Sequence, residues 1–332
     1  MRLTTVCGNW SVRSWPPSAD DEVRDGDLLR TMATEQGSAS VRICNVGQAV
    51  SIRRRLADLV VLIRPPSCVA GGASVLLGVH LATGRTSLPH CDIIPAIAGM
   101  SLAVAAANVF NDVLDISLDG LAKPSRPLPS GRFSRRSALI LAGCLAVAAS
   151  MGAIQLGIYP TLWMVGLLAV AAAYSLRLKN IALLGNITVA LCASSPILFG
   201  ATAAGVFNAA VWTATGLAVA FMFSYETLKT ISDRDSDKAG GIHTFAAVRG
   251  AHAALILFRC LVVALTGAAL AAALVCASPV PYLTAIILTF MLPAWSATIV
   301  LGRRLRDPAV RRSIFLMRIA WFLGIVALWL LR

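Results

Sequence analysis

Apolar residues do not alternate along this chain. They come in long unbroken runs separated by short polar stretches. A membrane-crossing helix needs ~20 predominantly apolar residues. On that measure the pattern predicts nine spans, at roughly 66–82, 92–113, 137–157, 160–178, 181–204, 208–230, 252–276, 280–302 and 313–331. The first is the most broken, by Pro65-Pro66 and Gly71-Gly72. Residues 1–50 have neither runs nor periodicity. They mix Pro16-Pro17, Asp20-Asp21-Glu22 and Gly/Ser/Thr, which reads as a disordered tail ahead of a membrane domain over 51–332. The tail lacks the apolar core of a signal peptide, and Met32 is a second candidate start.

Composition agrees. The 332 residues are 57% hydrophobic and only 14% charged, which excludes an ordinary soluble domain. A net charge of +13 would suggest nucleic acid in a soluble protein, but its placement follows topology. With the N-terminus inside, the first outside loop carries only Arg85, and the other outside loops carry no Lys or Arg. The inside segments hold Arg53-Arg54-Arg55, Lys123, Arg126, Arg132, Arg135, Arg136, Arg177, Lys179, Arg234, Lys238, Arg249 and the Arg303–Arg312 group. This is the positive-inside bias. It predicts a multi-pass membrane protein with these loops cytoplasmic, lipids around it and no nucleic-acid partner. Eight cysteines are scattered without a C-x-x-C pair, and four histidines lack metal-ligand spacing.

Two polar clusters break the pattern. Asn111, Asp115 and Asp119 close the second run at i, i+4, i+8, with Asp112 one residue off that stripe. On one helix they share a face. Carboxylates there repel one another and oppose the helix dipole unless a cation sits among them. Asp233 and Asp237 repeat the spacing after the sixth run, with Glu226, Lys229 and Thr230 near the same stripe. The offset of four spans suggests two four-helix halves plus one, meeting at a shared polycationic site. After the first cluster, Lys123-Pro-Ser-Arg126-Pro-Leu-Pro-Ser-Gly131 holds basic side chains beside the acids in proline-fixed turns. Acids, divalent cations and a basic loop together suit an anionic phosphate ligand.

These two segments, Asn111-Asp112-x-x-Asp115-x-x-x-Asp119 with its Lys-Pro-x-Arg-Pro loop, and Lys229-x-x-x-Asp233-x-x-x-Asp237-Lys238 with Gly241-x-x-Thr244, resemble the paired signatures of the UbiA superfamily of intramembrane prenyltransferases. Arg64-Pro65 and Tyr174-Ser-Leu-Arg-Leu-Lys179 fit the same pattern. The resemblance implies an all-α membrane fold of nine helices around a lipid-accessible cavity. It implies two Mg²⁺ ions bridging a prenyl diphosphate, one held by Asn111, Asp115 and Asp119 and one by Asp233 and Asp237, with Asp112 a weaker ligand. Arg126, Lys123, Lys179, Lys238 and Lys229 would neutralise diphosphate oxygens, and Tyr174 would line the cavity near the allylic carbon. The reaction implied is transfer of an isoprenoid chain to a lipophilic or aromatic acceptor. The compact Asp119-to-Arg126 spacing is most similar to the geranylgeranylglycerol-phosphate and chlorophyll-synthase-like branches. Two alternatives stay open: a terpene cyclase of the same fold that uses no acceptor, and an ion-coupled transporter with acidic sites within the spans.

Overall fold

The computed structural model describes residues 53–88, 92–274, 276–303, 305 and 307–332. The expected tail over 1–50 lies outside them. The chain divides between Ala57 and Asp58, and Asp58–Arg332 is the unit that carries the membrane-length helices.

Its regular structure is helical, with no strand among the described residues. Following α1 (residues 53–63), the helices are α2 (Pro65–Thr83), α3 (Ile94–Leu114), α4 (Ile116–Ala122), α5 (Arg135–Ile154) and α6 (Ile158–Leu176). A 3₁₀ turn (Leu178–Asn180) leads to α7 (Leu184–Ala204) and α8 (Ala209–Ala239). Then come α9 (Phe245–Arg249), α10 (Ala251–Ala273), α11 (Pro279–Ile286), α12 (Leu292–Arg303) and α13 (Asp307–Trp329). A π-turn, Ile287–Met291, joins α11 and α12 into one span-length element.

Among the described residues, eight elements are long and apolar enough to cross a membrane. The ninth expected span falls on α8, a 31-residue helix whose last third is the polar second cluster. The broken first run forms a continuous helix. Its prolines occupy the first helical turn, where no intrahelical N–H bond is forfeited.

The glycines of α2 and α7 mark a close crossing. A Cβ added at Gly78 would stand 2.0 Å from the Ile197 carbonyl oxygen, and one at Gly200 would stand 2.2 Å from that of Val75. Small residues allow this backbone approach, as membrane helix packing requires. The main core runs through α2, α3, α7, α8, α10 and the α11–α13 segment. A second apolar cluster (Leu62, Val109, Val113, Leu128, Ala138 and Ala142) seats the proline-rich loop on α3 and α5. On α5 and α6, large apolar side chains such as Val147, Met151, Ile154 and Leu162 stay exposed. A soluble surface would not carry that, and a lipid-facing one does.

Candidate functional site

The first cluster does not lie on one uninterrupted helix. α3 ends at Leu114, Asp115 leaves helical geometry (φ −94°, ψ 12°), and α4 restarts at Ile116. Local spacing survives the break, since the Asn111 amide donates to Asp115 Oδ2 at 2.8 Å. The Ser175 hydroxyl donates to Asn111 Oδ1 at 3.2 Å, tying α6 to α3.

Every acid of this cluster meets a basic side chain. Lys179, from the turn after α6, pairs with Asp115. Arg126 Nη1 reaches Asp119 Oδ2 at 2.6 Å and Asp112 Oδ1 at 3.3 Å. Lys123 stands 3.6 Å from Asp119. Asp112 is among the most buried polar residues and also pairs with Arg64. It is therefore a hub for two guanidinium groups. Arg64, absent from the expected site set, donates as well to Asn108 Oδ1 at 3.3 Å. Its backbone sits in the left-handed region (φ 53°, ψ 69°), which costs a non-glycine residue roughly 1–3 kcal/mol. The tertiary ion pair holds it there. The only signal in the sequence was its place immediately before Pro65.

The second cluster is less committed. Asp237 is buried and accepts from the Thr244 hydroxyl at 2.8 Å. Asp233 has no side-chain hydrogen bond or ion pair among the described residues. Lys229, expected to face a ligand, is held by Glu226 at 3.0 Å. Lys238 is exposed, one residue past buried Asp237. Asp235 pairs in the open with Arg234 at 2.9 Å, in keeping with its place off the acidic stripe. Asp237 lies past residue 230, where the expected span ends. Its carboxyl is pushed up to about 6, chiefly by burial and also by Asp233, against the lowering effect of the Thr244 hydroxyl bond.

The two clusters come together. Tyr174 on α6 is within electrostatic reach of Glu226, Lys229, Asp115 and Asp237. Asp233 is within reach of Lys123 and Asp119. α4 packs on α8, where Leu118 closes on Gly240. The residues expected to share a site are thus brought near one another by α3, α4, the proline-rich loop, the end of α6 and the end of α8. Among the described residues no three His, Cys, Asp or Glu side chains converge around one point. The available donors are nonetheless all oxygens, which suits Mg²⁺ and not a soft metal. Mg²⁺ commonly uses only one or two carboxylates, and Asp233 and Asp237 keep uncommitted oxygens. The donor set fits that ion.

A separate apolar cavity of about 880 Å³ lies between α6 and α7, lined by Leu162, Trp163, Leu167, Leu191, Cys192 and Phe207 among others. None of the acidic or basic site residues is among those lining residues.

Similarity to known proteins points the same way. The family model for the UbiA prenyltransferase family matches residues 72–330. The digeranylgeranylglyceryl phosphate synthase of Natronomonas pharaonis is 30% identical over 284 residues, spanning 82% of this chain and 98% of that protein. The Halobacterium salinarum protein of the same name is 34% identical over 233 residues, or 69% of this chain and 79% of that one. Among solved structures, a digeranylgeranylglyceryl phosphate synthase superposes with TM-score 0.64 at 21% identity, covering 83% of this chain and 98% of that one. A UbiA homologue of Archaeoglobus fulgidus bound to DMAPP and Mg²⁺ gives TM-score 0.61 at 17% identity, covering 81% and 99%. With the helical membrane fold and both signatures meeting in space, the chain belongs to the UbiA prenyltransferase family.

Proposed function

We propose that this protein is a Mg²⁺-dependent prenyltransferase that moves a geranylgeranyl-type chain from its diphosphate to a glycerol-phosphate lipid. The observation that carries the reading is the meeting of two carboxylate groups with Arg64, Lys123, Arg126 and Lys179 at the ends of two long apolar helices. Relatives named digeranylgeranylglyceryl phosphate synthase favour this acceptor class.

Asn111, Asp115 and Asp119 on one side, and Asp233 and Asp237 on the other, are the residues assigned to hold two ions. When bound, Mg²⁺ neutralises diphosphate charge and so stabilises the leaving group. Lys179, Arg126 and Lys123 give the same support through hydrogen bonds that strengthen as negative charge builds on the departing oxygen. Arg64 joins them, since its guanidinium already points into the cluster. Tyr174, near Glu226, Lys229, Asp115 and Asp237, is assigned to line the cavity beside the first carbon of the isoprenoid, and the surrounding apolar helices keep water from the allylic cation. Lys229, paired with Glu226 outside the two acidic signatures, and Lys238, exposed at the helix end, are assigned a lesser share of that role. The allylic carbon–oxygen bond to diphosphate breaks, the acceptor hydroxyl oxygen bonds to that carbon, and the hydroxyl proton leaves with the released diphosphate or to water.

The Lys/Arg bias of the loops supports a cytoplasmic side for this site. The test is incubation of purified protein with Mg²⁺ and geranylgeranyl diphosphate, with and without a geranylgeranylglyceryl phosphate-type acceptor. A lipid ether formed only with acceptor is expected. A cyclised hydrocarbon formed without acceptor would favour the cyclase alternative instead.

A further inference from the structure

Arg318 is a cation inside a membrane-length helix. It lies 11 residues into α13, about 16 Å along the axis at the helical rise. Arg311 and Arg312 mark the polar end of that helix, and Arg318 is roughly two turns deeper. A charged residue at membrane depth is costly and is by default a functional position. None of the ion pairs among the described residues involves it. Its one side-chain hydrogen bond among those residues runs from Nε to the Tyr225 hydroxyl at 3.4 Å. Arg318 is an exposed residue, and its Nη atoms make no hydrogen bond or ion pair among the described residues, which leaves them open to a ligand.

Its neighbours give the place meaning. Tyr225 is on α8, eight residues before Asp233, or about 12 Å from the carboxylates along the helix. It precedes Glu226 and lies within electrostatic reach of Lys229, as Tyr174 does. One turn deeper, Phe221 stacks on Phe290 at 4.2 Å and on Trp321 at 6.1 Å. Phe221 is four residues from Tyr225, and Trp321 is three from Arg318. The Arg318–Tyr225 couple therefore stands where the charged site gives way to an aromatic layer. An amphipathic substrate would change from head group to hydrocarbon at that level.

We infer that Arg318, positioned by Tyr225, binds the phosphate of the lipid acceptor, so that it selects phosphorylated glycerol lipids over neutral alcohols. This rests on the proposed transfer reaction. A diphosphate at the carboxylates puts the reacting carbon below them, and an acceptor hydroxyl beside that carbon leaves its phosphate a few ångströms farther on. That is the level of Arg318. A planar guanidinium with two free parallel donors matches a phosphate better than an ammonium would.

The test compares wild type with Arg318→Gln, Arg318→Lys and Tyr225→Phe, using a phosphorylated glycerol ether acceptor and its dephosphorylated alcohol. Losing a charge-assisted contact is worth about 10- to 100-fold in affinity. Arg318→Gln is therefore expected to raise KM for the phosphorylated acceptor by that factor, leaving KM for the diphosphate donor and turnover of the alcohol unchanged. Arg318→Lys should recover part of the loss, and Tyr225→Phe should fall between wild type and Arg318→Gln. A binding readout stands apart from turnover. The phosphorylated lipid should raise the thermal midpoint of wild type and not of Arg318→Gln. An unchanged acceptor KM and an equal thermal shift in Arg318→Gln overturn the inference while the transfer reaction stands. Equal, Arg318-dependent stabilisation by a bilayer phosphodiester lipid also overturns it, in favour of a general head-group contact. If no acceptor is prenylated, the transfer reading fails, and the thermal shift still decides what Arg318 binds.

Discussion

Arg126 is the strongest single test of how the acidic cluster is held. Its guanidinium reaches Asp119 at 2.6 Å and Asp112 at 3.3 Å, and their side chains are only 8% and 4% exposed. Removing a partner from a fully buried ion pair costs about 3–5 kcal/mol, because a charge is left uncompensated. Here compensation is partial. Asp119 keeps Lys123 at 3.6 Å, a side chain more than half exposed, and Asp112 keeps Arg64. The loss in Arg126→Ala should therefore resemble that of one charge-assisted hydrogen bond, about 2 kcal/mol. For a domain of this size that is a fall of about 3–4 °C in thermal midpoint. Detergent-solubilised protein followed by intrinsic fluorescence would measure it. Two controls sharpen the reading. Arg126→Ala combined with Asp119→Asn removes the orphaned charge and should recover about half of the fall. Mg²⁺ alone should raise the midpoint more in Arg126→Ala than in wild type, since the variant offers freer carboxylate oxygens. A fall of less than about 1 °C, or a double variant less stable than the single one, would refute the idea that Arg126 compensates these acids.

Other outcomes rest on the same geometry. Asp115→Ala and Asp237→Ala should each lose most turnover and most Mg²⁺ dependence while still inserting, and near-normal turnover in either would remove that residue from the ligand set. Because the Asp237 carboxyl is raised to about 6, it takes up a proton as pH falls through that value. Mg²⁺ activation should then require more metal below about pH 6, and a Mg²⁺ titration that stays flat from about pH 7.5 to 5 would show that Asp237 does not bind the ion. Gly200→Val should force α2 from α7, because the new side chain meets the Val75 carbonyl at 2.2 Å. A loss of about 1–3 kcal/mol in thermal or denaturant unfolding is expected, with no loss for the same change at Gly216, which has open space around it. Cysteine labelling should put Arg132, Lys179 and Asp235 on one side of the membrane and Arg85 on the other, and labelling of Arg132 and Asp235 from opposite faces would end the shared-site reading.

The sequence by itself determined the class of fold, because the bilayer imposes a length and an apolarity that single helices must satisfy one at a time. The runs that became α3, α5, α6, α7 and α10 could be read in this way without a partner. Local spacing also identified both acidic clusters, since i, i+4 neighbours such as Asn111 and Asp115 meet within one turn. What tertiary structure alone decided is which cation each acid faces. Arg64 meets Asp112 across 48 residues, and Lys179 meets Asp115 across 64. These partners depend on where helices cross, which in turn depends on where backbones can approach, as at Gly78 and Gly200. The break at Asp115 and the left-handed Arg64 belong to the same level. Each is locally unfavourable, and each persists because contacts distant in sequence outweigh the local preference. Arg318 is the converse case: the sequence shows an arginine inside an apolar run, and only the packing of α13 against α8 gives it a tyrosine to point towards.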